Sequence, residues 1–257
     1  MVEPLWWSLR LEIALWARAR RQPVLWWRDD DAGADTPALR RLLALAEVHD
    51  APLTLAVIPS EGLDGLAALL DRHPRVTVAQ HGVTHRNVRP EGAAPDEFDV
   101  GATAAAMAAS IRAAGVLLAA LPHRLPLYVP PWNRIHPNLM PALRLTELGL
   151  ISGSGGAAVD ETGLARRDVH LDILRWKGVP RFKGEARLLF RLIHALRTRR
   201  IEGAWTEPLG LLTHHAVHDE GCWRFLTRLL DLTRISDVRW SAAGQVFGAA
   251  ARWRSAI

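Results

Sequence analysis

The chain has 257 residues, 49% apolar and 23% charged, with a net charge of +5. That is enough apolar material for a sizeable core, which excludes global disorder. No run approaches twenty apolar residues, which excludes a transmembrane helix, and the single cysteine, Cys222, excludes an internal disulfide or a cysteine metal cage.

The N-terminus lacks a basic start, a clean apolar segment and a small-residue cleavage site, so a cytoplasmic location is expected. Residues 4–20 read as a helix that precedes the first strand. Residues 24–28 (Val-Leu-Trp-Trp-Arg) read as a strand, and a helix starts near Thr36-Pro37, with threonine as cap and proline at the first position. Buried strands at 53–58 and 76–79 follow, with helices at 61–72 and 103–120. Short apolar runs at 127–129, 150–151, 169–171, 209–212 and 238–240 continue the series, alternating with helices near 141–148, 185–200, 223–233 and 242–250. Ser152-Gly153-Ser154-Gly155-Gly156 reads as a flexible loop. Repeated strand–helix units imply parallel strands with crossover helices, hence an α/β fold. Their number favours a closed or nearly closed barrel in one domain spanning 1–257.

The positive charge is almost all arginine, since Lys177 and Lys183 are the only lysines. Arg187, Arg191, His194 and Arg197 recur at helical spacing opposite Leu189, Leu192, Ile193 and Leu196, the pattern of an amphipathic helix with a wet face. No nucleic-acid motif accompanies the charge, so no nucleic-acid partner is expected.

In a barrel of this kind, chemistry collects where strands end at their C-terminal side. Five polar clusters fall there. Arg28-Asp29-Asp30-Asp31 crowds three carboxylates that repel one another unless a cation or proton compensates; a polar loop with a capping aspartate is the plainer alternative. His81-Gly82-Val83-Thr84-His85 places two imidazoles four apart, able to reach one ion if the intervening residues form a helical turn. Gly82 stands where the zincin motif needs glutamate. Tyr128-Val129-Pro130-Pro131-Trp132-Asn133-Arg134 is a stiff loop that forms either a structural corner or a site wall. His170-Leu171-Asp172, with Trp176 behind it, is the fourth cluster. Thr213-His214-His215, with His218, Asp219 and Glu220 beyond, is the fifth. A lone histidine at a strand end is usually structural, but five ordered clusters point to a site.

Taken together these clusters resemble the polysaccharide deacetylase family, also called the NodB-homology or carbohydrate esterase family 4 fold, over about residues 28–215. Asp30-Asp31 is similar to the family's paired aspartates and His81–His85 to its metal-binding His-x-x-x-His. Pro130-Pro131-Trp132 is similar to its Arg-Pro-Pro-Tyr segment, Asp172 with Trp176 to its Asp/Trp motif, and Leu212-Thr213-His214 to its final Leu-x-His. The resemblance implies a distorted (β/α) barrel and removal of an acetyl group from an N-acetylated sugar or oligosaccharide. It implies a divalent metal, zinc first, held by Asp31, His81 and His85. Asp30 is then the general base and His214 the acid, with Asp172 orienting that histidine. Pro131, Trp132, Asn133 and Trp176 line the substrate, with a backbone N–H near Trp132 for the oxyanion.

Two choices stay open at this level. Asp29 and Asp30 could be the pair instead of Asp30 and Asp31, and His215 competes with His214. The family's arginine is replaced by Val129, so Arg134 or Arg28 is expected to steady the base. The same barrel acting on a non-sugar amide, or a non-catalytic carbohydrate-binding homologue, are the competing functions.

Overall fold

A computed structural model describes residues 2–161 and 164–248. The chain opens with α1 (Glu3–Arg18), β1 (Val24–Ala32), α2 (Pro37–Val48), β2 (Leu53–Val57), α3 (Asp64–Leu70), β3 (Val76–His81), α4 (Ala104–Leu117), β4 (Arg124–Val129), α5 (Leu139–Arg144) and β5 (Leu150–Ile151). Short strands follow: β6 (Ala158–Glu161), β7 (Leu164–Arg167), β8 (Leu171–Asp172), β9 (Leu174–Arg175) and β10 (Arg181–Phe182). The rest is α6 (Glu185–Glu202), β11 (Leu209–Thr213), α7 (Glu220–Arg234), β12 (Arg239–Trp240) and α8 (Ala243–Phe247).

Local chemistry sets many of these boundaries. Thr36 caps α2 by accepting the Leu39 N–H at 3.1 Å, Thr103 caps α4 through Ala106 at 3.2 Å, and Asp219 caps α7 through Cys222 at 2.9 Å. Gly203 ends α6 in the left-handed region. The helix expected over 242–250 is present as α8, and positions 249–250 lie outside the described residues.

The main sheet runs β6-β7-β5-β4-β3-β2-β1-β11-β8, with β12 also beside β1; only the β6–β7 pair is antiparallel. An isolated parallel bridge between Ser154 and Val169 joins the chain beyond β5 to the chain entering β8. The sheet therefore curls on itself, giving the distorted barrel that the strand–helix alternation predicts. Two features were not legible: the β6–β7 hairpin and the small β9–β10 hairpin interrupt what reads in sequence as a further loop and strand–helix unit.

Side chains alternate across β1. Leu25 and Trp27 join the large core between the sheet and helices α1, α2, α3, α6 and α7, whereas Trp26 packs inside the barrel against Val169 and Leu212. Small residues, Ala56 and Ala79, line the interior with Leu127 and Val129. This leaves room for polar side chains at the upper end. No helix among the described residues is long and apolar enough to cross a membrane.

The extra helix α1 is built into the core. Trp6, Leu9, Ile13 and Trp16 are buried, and Glu12 pairs with Arg200 of α6 at 2.6 Å. Trp16 is fully buried, donates to the Leu196 carbonyl and meets Trp205 edge-on at 5.0 Å. Trp16→Ala is expected to cost about 3–5 kcal/mol of stability. Urea unfolding checks this, and a loss well under 1 kcal/mol would mean that α1 is peripheral.

Candidate metal centre

The strand that carries the three aspartates does not stop at Arg28; it continues through them to Ala32. Alternation therefore sends Trp27 and Asp29 toward the helices, and Arg28 and Asp30 into the barrel. Between Asp29 and Ala32 the register to β2 shifts, and Asp31 adopts φ +67. This bulge keeps the third carboxylate from following Asp29 toward the helices. Each aspartate then finds a different partner.

Asp29 is fully buried and accepts from Thr213 Oγ1 (2.6 Å), the His215 N–H (3.0 Å) and His215 Nδ1 (2.5 Å). Burial opposes its charge, but the charge and hydrogen bond of His215 outweigh that and hold its pKa below the usual value. Burial likewise disfavours the charged His215, and Asp29 reverses this and raises it. Asp30, also buried, receives both prongs of the Arg28 guanidinium, Nε to Oδ1 at 2.8 Å and Nη2 to Oδ2 at 3.0 Å. The remaining Arg28 N–H groups go to the Ser152 carbonyl and hydroxyl (both 2.7 Å), the Gly153 carbonyl (3.1 Å) and Asn133 Oδ1 (2.6 Å). A fully buried guanidinium is thus satisfied on all sides.

Asp31 Oδ1 lies 3.1 Å from His81 Nε2 and 3.2 Å from His85 Nε2, and among the described residues these three form the one cluster suited to a metal. His81 Nδ1 donates to the Val129 carbonyl at 2.9 Å, which aims the Nε2 lone pair at Asp31. A lone pair facing a carboxylate is repulsive unless a cation or proton sits between them, so the donor set fits a divalent ion. Burial opposes the charge on Asp31, but the hydrogen bonds of His81 and His85 and the charges of His81 and His214 hold its pKa far below the carboxylate range. For His81, burial is outweighed by Asp31 and Asp30, which raise it. The segment between the histidines is not the helical turn that the spacing suggested. His81 ends β3, and Gly82 (φ +69) and His85 (φ +54) bend the chain through left-handed conformations.

The wall residues complete the site. Trp132 (φ +52) and Asn133 (φ +56) form a tight turn after Pro130-Pro131, and the Trp132 ring lies 4.6 Å from His85. His214 Nε2 is 3.9 Å from Asp30 Oδ2, and its buried Nδ1 has no protein partner. Trp176 meets the His214 ring edge-on at 4.5 Å.

The structure thus brings Asp30, Asp31, His81, His85, Trp132, Asn133, Trp176 and His214 together, with Pro131 buried against Gly82. Two expected roles fall elsewhere. Arg134 is exposed, and the cation on Asp30 is Arg28. Asp172 gives its oxygens to the Leu174 N–H (2.8 Å) and Trp176 Nε1 (2.7 Å), so it orients the tryptophan and not His214. His215 is committed to Asp29. The 152–156 loop is also not free at its start: Ser152 is buried on Arg28, and the Gly153 N–H donates to Asp168 at 2.7 Å. Sequence reasoning missed Ser152, because a serine–glycine run carries no local sign of a distant guanidinium. It also missed Glu97, whose carboxylate accepts the N–H groups of Val83, Thr84 and His85 and whose one sign was the glycine at position 82.

No family model matches the chain, and no curated protein matches it by sequence. Solved structures do match in fold. A protein from Mycobacterium smegmatis assigned as a polysaccharide deacetylase is 16% identical, with a TM-score of 0.59 over 91% of this chain and 92% of that one. A family 4 acetyl xylan esterase from Clostridium thermocellum, in complex with a cobalt ion, is 13% identical with a TM-score of 0.54 over 88% and 91%. A family 4 carbohydrate esterase from Bacillus subtilis is 12% identical with a TM-score of 0.54 over 88% and 80%. At these identities the likeness establishes the fold.

The Asp29–His215 pair gives a pH-dependent prediction. The raised pKa of His215 stabilises the fold fully below its ordinary 6.5 and is lost as pH rises through the folded value. The lowered pKa of Asp29 stabilises above its ordinary 3.8 and is lost as pH falls through the folded value. Asp29→Asn is therefore expected to cost about 3–5 kcal/mol between those two ordinary values, and less outside the window. Urea unfolding across a pH series checks this, and a cost independent of pH would contradict an ion pair.

Proposed function

We propose that the chain is a metal-dependent hydrolase that removes an acetyl group from an N-acetylated sugar or oligosaccharide. The observation that carries this reading is the division of labour among the aspartates: Asp31 faces two imidazoles, while Asp30, beside it, is held by Arg28 and faces His214. One carboxylate and two imidazoles suit Zn2+ or another first-row divalent ion with positions left open. The cobalt ion of the same-fold esterase supports that choice. An ion held there would polarise the acyl carbonyl and acidify a water.

The remaining chemistry belongs to the chain. Asp30 is assigned as the general base, fixed in one orientation by the bidentate Arg28 fork. His214 Nε2 lies 3.9 Å from the same carboxylate and is assigned to protonate the departing amine, which leaves poorly as an anion. The Asn133 and Arg134 amides are taken by the carbonyls of Pro130 and Pro131, so the Trp132 N–H is the donor of this turn assigned to the developing oxyanion. Trp132 beside His85 and Trp176 beside His214 offer flat apolar faces for sugar rings. Asp172 fixes the second of these faces through the indole N–H.

Metal content and acetate release over a panel of N-acetylated sugars, for wild type and His81→Ala, test the proposal. Wild type is expected to hold about one divalent ion and release acetate, and His81→Ala to lose both. Wild type that stays metal-free and cannot be activated by added ions would overturn it, and uptake of metal and sugar without acetate would point to a binding protein. Asp30→Asn is expected to keep the metal and lose roughly 10²–10⁴ in kcat, whereas Asp31→Asn weakens the metal. Arg28→Lys keeps the charge but not the planar fork; it is expected to lower kcat by about 100-fold through misplacement of Asp30, with metal content unchanged.

A further inference from the structure

The turn between the two histidines has no regular hydrogen-bond ladder of its own. His85 is a non-glycine residue at φ +54, a sparsely populated conformation that persists only where its surroundings impose it. What imposes it is a side chain from a separate loop. Glu97 Oε2 accepts the N–H groups of Val83 (2.8 Å), Thr84 (3.2 Å) and His85 (3.3 Å) in succession, and Oε1 accepts the Tyr128 hydroxyl at 2.7 Å. Three consecutive N–H groups converging on one anion form a backbone nest, and the carboxylate makes each bond charge-assisted.

The sequence of the turn is cut to fit this carboxylate. A Cβ added at Gly82 would lie 2.7 Å from both Glu97 oxygens and 2.4 Å from Pro131 Cγ. Glycine at this position therefore supplies the positive φ of +69 and also clears the space the carboxylate fills. The loop that delivers Glu97 is itself braced. Asn87 Oδ1 accepts the Arg89 and Asp96 N–H groups, and Asp96 pairs with Arg89 at 3.2 Å.

We propose that Glu97 is the positioning residue of the metal centre: by gripping the backbone of Val83, Thr84 and His85 it sets the His85 imidazole at the distance from Asp31 and His81 that an ion requires. The proposal rests on the metal-site reading given above. Both oxygens of Glu97 are taken up by backbone N–H groups and the Tyr128 hydroxyl. Glu97 acts through the backbone of a ligand, so its loss acts on metal affinity before it acts on chemistry.

The test is a titration of the full-length protein with Co(II) alone, followed by visible absorption and calorimetry below the melting temperature, with folding checked by circular dichroism. Glu97→Ala is expected to weaken Co(II) binding by about 10- to 100-fold, the range for loss of a group that orients a metal ligand. Glu97→Gln keeps a carbonyl oxygen at the same reach and is expected to recover most of that loss. Glu97→Asp, one methylene shorter and the variant to use if the alanine protein does not fold, is expected to weaken binding in the same direction. The Val83, Thr84 and His85 amides should exchange hydrogen faster in Glu97→Ala than in wild type, with or without Co(II). A folded Glu97→Ala protein, or a folded Glu97→Asp protein in its place, that binds Co(II) as tightly as wild type would overturn the proposal and leave the metal site standing. Wild type that takes up no Co(II) would overturn the metal-site reading and the proposal with it.

Discussion

Three consecutive carboxylates at the end of one strand repel one another, and the two that are buried, Asp29 and Asp30, need counter-charges that water is not there to supply. In this protein each counter-charge comes from a different place. Arg28, two residues back on the same strand, serves Asp30, and His215, which follows β11, serves Asp29. Asp31 faces His81, the last residue of β3, and His85, with which it would share an ion. Strand β1 lies between β11 and β2, with β3 next in line, so the neutralising groups arrive from both sides of it. The parallel arrangement puts all their strand ends on the same face of the barrel. The chemistry of residues 29–31 thus depends on the barrel curling correctly, and the uncompensated repulsion would oppose any other arrangement of these strands.

The separation of the three roles depends on local backbone geometry. Regular alternation distinguishes Asp29 from Asp30, and the bulge at Asp31 is what keeps the third carboxylate from following Asp29 toward the helices. Asp31, His85, Trp132 and Asn133 all adopt left-handed φ. Four such non-glycine residues around one point represent stored strain, the kind held at working sites by surrounding structure. Two contacts supply that support: Glu97 grips the His85 turn, and Asn133 is tied to Arg28.

Much of this was legible in the sequence, and the limits are physical. Strand periodicity and cap chemistry located β1, β2, β3, α2 and α4 because those signals are local. The clusters at strand ends were legible because a barrel concentrates function there. Contacts that close over long stretches of chain were not. Nothing near Ser152 signals that its hydroxyl and carbonyl receive Arg28, and nothing in the Asp172 segment says that its carboxylate turns to Trp176 and not to His214. The choice between Arg28 and Arg134 was open for a similar reason. Arg134 stands closer in sequence to Val129, but alternation along β1 points Arg28 into the barrel beside Asp30. The helical-turn expectation for His81–His85 failed because spacing of four is compatible with any compact turn, and Gly82 with Glu97 selects a left-handed one.

The proposed assignment gives Asp29, Asp30 and Asp31 three different positions: structural anchor, base and ligand. A crystal structure of the Co(II)-loaded protein, with the ion located by anomalous scattering, tests it most directly. One ion is expected, bound by Asp31, His81 and His85, with Asp30 still paired to Arg28 and Asp29 still paired to His215. An ion ligated by Asp29 or by Asp30 in place of Asp31, or lodged away from both histidines, would contradict it.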